Sequence, residues 1–299
     1  MVRGFSKLFV LISFAMTVST ATAAQEIRRV PIGDIELAYV EAGKGEAVVL
    51  VHGGLQDYRF WNLLLPRFAE RYRVIAYSRR NHFPNPMAED GAPDGAADIH
   101  GEDLAVLVEA LGLGHVHVVA HSSGAVAALF FAAAHPEMVK TLALNEPPAA
   151  ALLTGLPDGS TVLREFSART APAREAFRAR DLDRAIPLFV DGVGGPGTFD
   201  HRSPADQRMA MDNGLSHLAD NITKRPRVPF DCDAAKRITA PALLTNGERS
   251  PDFFHRIVDE LDHCLSHAQR VIAPAASHTV PGENPQFYGD VVLAFLAQH

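Results

Sequence analysis

The chain has 299 residues, 47% of them hydrophobic and 21% charged, with a formal net charge of −7. That acidic balance argues against functions that rest on attraction to nucleic acid or to anionic membrane surfaces, and the apolar share is enough for a substantial core. The two cysteines and 14 scattered histidines show no clustered ligand spacing, so neither a metal nor a cofactor is expected.

Arg3 and Lys7 precede an apolar run over residues 8–18, followed by Ala21-Thr22-Ala23-Ala24-Gln25. A short basic region, an apolar stretch and an A-x-A site read as a secretory signal peptide over residues 1–24. The run is too short to span a bilayer, and the absence of a twin-Arg pair favours Sec-type export. The expected location is therefore periplasmic or secreted. Cleavage removes Arg3 and Lys7 and no acid, so the charge of −7 becomes −9. The remaining chain, about 275 residues, suits one large domain or a domain with an insertion. In an oxidising compartment Cys232 and Cys264 could pair; two buried free thiols fit the sequence equally well.

Residues 27–32 and 35–41 alternate apolar and polar around Gly33-Asp34, the pattern of a β-hairpin. Residues 47–51 form a continuous apolar run of the buried-strand kind. A helical stretch over 61–71, a strand over 73–77 and a Pro- and Gly-rich loop over 83–95 follow. Asp98 is placed to cap the next helix, whose Leu104, Leu107, Val108 and Leu111 keep helical spacing up to Gly112. A strand (116–120), a small-residue helix (123–134) and another strand (139–144) continue the rhythm.

This alternation implies a mostly parallel sheet with right-handed crossovers. From 148 to 229 the pattern turns charged and Pro/Gly-punctuated, with helical pieces such as 174–189. Strands over 242–246 and 270–273, with helices over 251–264 and 285–298, then restore it. The fold class is α/β, with a core of residues 25–147 and 230–299 and an inserted cap over 148–229.

The sharpest motif is Val118-Val119-Ala120-His121-Ser122-Ser123-Gly124-Ala125, a buried strand running into a helix with a serine at the turn. Such a nucleophile elbow needs small residues two before and two after the serine. Ala120 and Gly124 meet that need around Ser122, whereas Ser123 would place His121 at the first small position. In this context the chain resembles the α/β-hydrolases, with alanine where the commonest elbow has glycine. His52-Gly53-Gly54, after the strand ending at Val51, resembles the family's oxyanion loop. The resemblance implies that the N–H groups of Gly54 and Ser123 form the oxyanion hole and that His52 is structural.

A serine hydroxyl needs a neighbouring imidazole to accept its proton. The family places that histidine after the last strand, where Ser277-His278 stands, so His278 is the candidate base. The acid is less standard. The commonest family position, after the next-to-last strand in Gly247-Glu248-Arg249-Ser250, is filled by Ser250. Asp252 and Glu248 lie near it but would need a changed loop path. Glu146, directly after the apolar strand ending Leu144-Asn145, sits at the sheet's carboxyl edge, where open α/β sheets build their sites. Glu146 is the preferred acid and Asp252 the alternative. A serine elbow with an early glutamate resembles, at motif level, the fungal zearalenone lactone hydrolases.

The segment Tyr77-Ser78-Arg79-Arg80-Asn81-His82 departs from the family's usual loop. Arg80 is expected to serve structure, while Leu55, Arg79 and His82 are candidates for the substrate pocket. Lone Trp61 reads as core. Of the cap's Phe166, Phe177, Phe189, Phe199, Met209, Met211 and Leu215, some should line an apolar pocket above Ser122. The implied activity is hydrolysis of a small-molecule ester or lactone, with no nucleic-acid partner and no stable membrane association. Alternatives are a C–C bond hydrolase, an acyltransferase and a non-catalytic small-molecule-binding protein. Oligomeric state has no signature in the sequence.

Overall fold

The computed structural model describes Met1 and residues 26–87, 95–221 and 226–299; the expected signal peptide lies outside the described residues. The hairpin expected around Gly33 forms as β1 (Arg28–Ile32) and β2 (Ile35–Ala42). It leads to β3 (Ala47–Val51), β4 (Arg73–Tyr77), β5 (Val116–His121), β6 (Val139–Asn145), β7 (Ala242–Gly247) and β8 (Ala268–Ala273). One eight-stranded sheet results, in the order β1-β2-β4-β3-β5-β6-β7-β8. The β1–β2 and β2–β4 pairs are antiparallel and all the others parallel.

Among the helices, α1 (Leu65–Phe68), α2 (Ala97–Ala110) and α3 (Ser123–Ala134) precede β6. Between β6 and β7 come α4 (Gly159–Arg178), α5 (Leu182–Gly194), α6 (Thr198–His201), α7 (Pro204–Asp212), α8 (Gly214–Asn221) and α9 (Cys232–Ala235). The chain then adds α10 (Asp252–Cys264), α11 (Val280–Glu283) and α12 (Pro285–Leu296). The architecture is a mostly parallel sheet flanked by helices, with an inserted helical cap.

The apolar strands are explained by burial on both faces. In β3, Val49 and Val51 join a core that includes Leu104, Phe131 and Phe254. Val48 and Leu50 point the other way, to Trp61, Phe68, Tyr288 and Phe295. Side chains alternate across a strand, so a strand covered on both sides must be apolar at every position. A third cluster, with Phe177, Ile186, Val190 and Leu218, belongs to the cap. Trp61 is fully buried, as expected of a core residue.

Three local expectations change. The stretch 61–71 is not one helix but a 3-10 turn (Tyr58–Trp61) followed by α1. Pro66 lacks the N–H that would continue an earlier helix and instead occupies the first turn of a new one. Asp98 lies inside the first turn of α2, whose cap position is Ala96. The cap helix expected over 174–189 is broken at Arg180, which has φ of 57°. Asp181 then restarts the chain by accepting from the Arg184 N–H at 3.2 Å.

Several contacts hold the cap to the core. Arg256 pairs with Asp158 at 2.7 Å, and Arg59 bridges Asp57 at 2.6 Å and Asp212 at 2.8 Å. Asn213 donates to Asp57 at 2.7 Å. Where the chain returns from the cap, Cys232 and Cys264 form a disulfide with a Cα–Cα distance of 5.3 Å, which resolves the choice the sequence left open. It closes a loop with a sequence separation of 32, corresponding to about 3–4 kcal/mol in the chain-entropy model. Replacing both cysteines by serine is expected to lower the unfolding free energy by about that amount, measured by denaturant titration. A loss below about 1 kcal/mol would contradict this account.

Candidate active site

Ser122 sits where β5 meets α3, in the strained conformation φ 53°, ψ −127°. Strain of this kind costs on the order of 1–3 kcal/mol and persists only where surroundings enforce it. Here the enforcement is close packing. A Cβ on Gly124 would lie 2.2 Å from the His52 carbonyl oxygen, so only glycine lets α3 start this near the loop after β3. That turn lifts Ser122 above the sheet edge and leaves its side chain partly accessible.

Ser122 Oγ–H donates to His278 Nε2 at 3.0 Å. On the other side of the ring, His278 Nδ1–H donates to Glu146 Oε2 at 2.7 Å. Glu146 follows β6 with φ of 47°, a second non-glycine residue in left-handed backbone at the end of a neighbouring strand. Its Oε1 accepts from the Gly247 N–H at 2.8 Å. Asp252, by contrast, opens α10 at an exposed position, and Glu248 accepts from the Ala275 N–H at 2.8 Å. The acid that meets His278 is therefore Glu146 and not the alternative, Asp252.

Burial dominates the electrostatics. It pushes the Glu146 carboxyl up to about 7, against the Gly247 N–H and the Asn246 side chain that favour its ionised form. The same burial, with the nearby Arg202 cation second, pushes His278 down to about 3. The resting imidazole is thus neutral at physiological pH and free to take a proton. Phe254 stacks on the ring at 4.1 Å between centroids and 22° between planes, fixing its orientation from the α10 side. His121, which donates to Asn145 Oδ1 at 2.8 Å, packs 4.9 Å from it on another side.

Opposite Ser122, the loop after β3 brings up Gly53 and Gly54. The Gly53 N–H donates to Gln56 Oε1 at 2.8 Å, while no backbone acceptor takes the Gly54 N–H among the described residues. Ser123 is the first residue of α3, so its N–H has no partner within the helix. His52 serves this loop: it donates from Nδ1 to the Gly53 carbonyl at 2.8 Å and accepts the Arg79 N–H at Nε2 at 3.0 Å.

Arg79 is almost fully buried and donates to the carbonyls of His52 and Gly53 and to Ser123 Oγ, each at 3.1 Å. It therefore ties the β3 loop to the start of α3. Arg80 pairs with Asp103 at 2.5 Å, the structural role expected of it.

Above Ser122 lies a cavity of about 770 Å³ lined by residues of core and cap, including Gly54, Leu55, Arg79, Ser123 and His278. Phe166, Phe177 and Phe189 supply the expected apolar wall from the cap. Met209 is buried against the core, and Met211 faces outward. His82 does not line the cavity. It is fully buried and bonded to the Arg80 carbonyl at 2.9 Å, because the turn at Arg80 and Asn81 directs its ring inward beside His52. Arg202, one of the cap arginines that line this cavity, is not singled out by the sequence; it lies where no strand or helix periodicity marks it.

Among the described residues no group of three or more His, Cys, Asp or Glu side chains is arranged to hold a metal. No helix there is long and apolar enough to cross a membrane.

The family model of the alpha/beta hydrolase fold matches residues 46–285. A 2-(acetamidomethylene)succinate hydrolase of Mesorhizobium japonicum is 25% identical over 276 residues, which cover 90% of this chain and 94% of that protein. A carboxylesterase structure from Bacillus subtilis aligns with a TM-score of 0.72 at 18% identity, covering 93% of both chains. An N-acyl homoserine lactone degrading enzyme aligns with a TM-score of 0.72 at 18% identity, covering 90% of this chain and 100% of its own. At those identities the two structures speak for the fold alone. The family match spans most of the sequence and includes Ser122, Glu146 and His278, and the chain belongs to the α/β-hydrolase-fold family.

Proposed function

We propose that the protein is an exported serine hydrolase that cleaves carboxylic esters or lactones through an acyl-enzyme on Ser122. The observation that carries this reading is the continuous relay from Ser122 Oγ through His278 to Glu146, at 3.0 and 2.7 Å, on the floor of the 770 Å³ cavity. His278 takes the Ser122 proton as Oγ attacks the carbonyl carbon, and the tetrahedral oxyanion rests on the N–H groups of Gly54 and Ser123. The C–O bond to the leaving oxygen then breaks, and that oxygen receives the proton from His278. Water, deprotonated by the same imidazole, attacks the acyl-enzyme and releases the acid and Ser122. In a lactone, alcohol and acid remain on one product.

Glu146 holds the imidazole in the required tautomer and stabilises its protonated form. Residues 148–229 act as the cap that forms the substrate chamber. Epoxide or haloalkane cleavage is disfavoured, since those relatives use an aspartate where Ser122 stands. The signal-peptide pattern of residues 1–24 and the Cys232–Cys264 disulfide support a periplasmic or secreted location, because disulfides persist in oxidising compartments.

Treating the purified mature protein with a fluorophosphonate, followed by peptide mapping, tests the nucleophile without knowledge of the substrate. A single adduct on Ser122, lost in His278→Ala, is expected. A folded protein that takes no adduct would point to a binding role instead. Against a hydrolysed ester, Ser122→Ala and His278→Ala should each lose about 10⁴-fold in kcat, and Glu146→Gln less.

The pH profile follows from the direction of the shifts. Glu146 is ionised above about 7 and neutral below it, so kcat/KM should fall as pH drops through an apparent pKa in that region. That value belongs to the Glu146–His278 pair as a unit. In Glu146→Gln the carboxyl titration is gone while the imidazole stays held down, so the acidic limb should move to lower pH. An unmoved limb would remove Glu146 from the pair.

A further inference from the structure

The cavity is cationic inside a chain that is acidic overall. Among the described residues, Arg79, Arg174, Arg178, Arg202 and Arg227 line it against one acid, Asp98, although the formal net charge is −7. Arg79 is committed to carbonyls and to Ser123 Oγ. Arg174 is committed to Thr170 Oγ1 at 2.6 Å and to the Ser167 carbonyl at 2.8 Å.

Arg202, just after α6 in the cap, is different. Its Nη2 donates to Thr279 Oγ1 at 3.3 Å, a long contact with a neutral group on the residue next to His278. Asp206, Glu283 and Asp191 act on it electrostatically, yet none forms an ion pair with it among the described residues. Each of those carboxylates is occupied elsewhere. Asp206 accepts from Ser203 Oγ at 2.7 Å. Glu283 accepts the N–H of Ser277 at 2.7 Å and of Thr279 at 3.2 Å. Asp191 accepts the N–H of Gly197 at 3.0 Å and of Phe199 at 2.9 Å.

Burial disfavours the charged form of the guanidinium and the surrounding acids only partly oppose that, while most of its donor fork stays uncommitted at the wall of the cavity. A partly buried cation in that condition gains from an anion that pairs with it. We propose that Arg202 binds a free carboxylate of the substrate, so that the preferred substrates are esters or lactones bearing a second, ionised carboxyl group. This rests on the hydrolase reading for the reaction, but the anion site stands on its own geometry. The planar fork matches a carboxylate, and the three acids nearby disfavour a dianion such as phosphate. The carboxylate end lies on the His278 side of the chamber, leaving the Phe166, Phe177 and Phe189 wall for the apolar part. Such an anion would also offset the Arg202 charge that opposes protonation of His278, so the substrate would strengthen the base that acts on it.

The test compares p-nitrophenyl hemisuccinate and hemiglutarate with the neutral p-nitrophenyl butyrate and valerate. The wild type should prefer the anionic member of each pair in kcat/KM by about 10- to 100-fold, the range of a charge-assisted hydrogen bond shielded from water. Arg202→Gln should erase most of that ratio and Arg202→Lys should retain part of it. A second readout avoids turnover: glutarate should raise the Tm of Ser122→Ala protein and not that of the Ser122→Ala/Arg202→Gln double variant.

A wild-type preference for the neutral esters overturns the proposal whether or not the variants fold. So does a ratio, or a glutarate-induced shift, that Arg202→Gln leaves unchanged. Arg202-dependent stabilisation by glutarate, with no ester hydrolysed and no fluorophosphonate adduct, overturns the hydrolase reading and leaves the anion site standing.

Discussion

The Glu146 carboxyl is fully buried at the end of β6, and a carboxylate in that position is tolerable only with donors close around it. Meeting that demand shapes the loops after three strands. The Gly247 N–H at the end of β7 supplies one donor. A Cβ on Gly247 would lie 2.2 Å from the Ser277 carbonyl oxygen, so the glycine also lets the loop after β8 settle close by. His278, carried on that loop, then supplies the second donor and faces Ser122 with its other nitrogen. The proton relay is thus a consequence of how one buried acid is satisfied.

How far the sequence disclosed this differs from residue to residue. The elbow at Ser122 is a local pattern: a β-branched strand, small residues at two fixed offsets and a helix rich in alanine. Such patterns are readable because the steric cause lies within a few residues. Glu146 was readable from its place, a carboxylate breaking an apolar strand at the sheet's active edge. Choosing it over Asp252 needed three dimensions, since the two are far apart in sequence and only the sheet order brings β6 beside β7. His82 misled because a polar residue in an irregular loop says nothing about which way its ring turns.

The cap was legible as an interruption but not in its parts. Its helices pack partly on one another and partly on the core, so their apolar residues serve two surfaces and blur a single stripe. The break at Arg180 and Asp181 is a left-handed residue followed by a helix cap, and a charged pair of this kind looks ordinary in a one-dimensional reading. Arg202 was invisible for a related reason. Its significance comes from what Asp191, Asp206 and Glu283 are already bonded to, and those commitments appear only once the backbone around them is folded.

The position of the acid has a consequence for how this architecture can change. Ser122 and Glu146 end two strands that are hydrogen-bonded neighbours, β5 and β6, and both lie before the cap in the chain. An acid after β7 would have been separated from the serine by the whole insertion. Here the insertion can lengthen, shorten or be exchanged while nucleophile and acid keep their spacing, and only the register of the His278 loop has to be re-established. The stretch after β7, relieved of chemistry, is free to contribute shape instead, as Phe253 and Phe254 in the first turn of α10 do at the chamber wall. In this chain, diversification of the binding chamber is uncoupled from two of the three groups that move the proton.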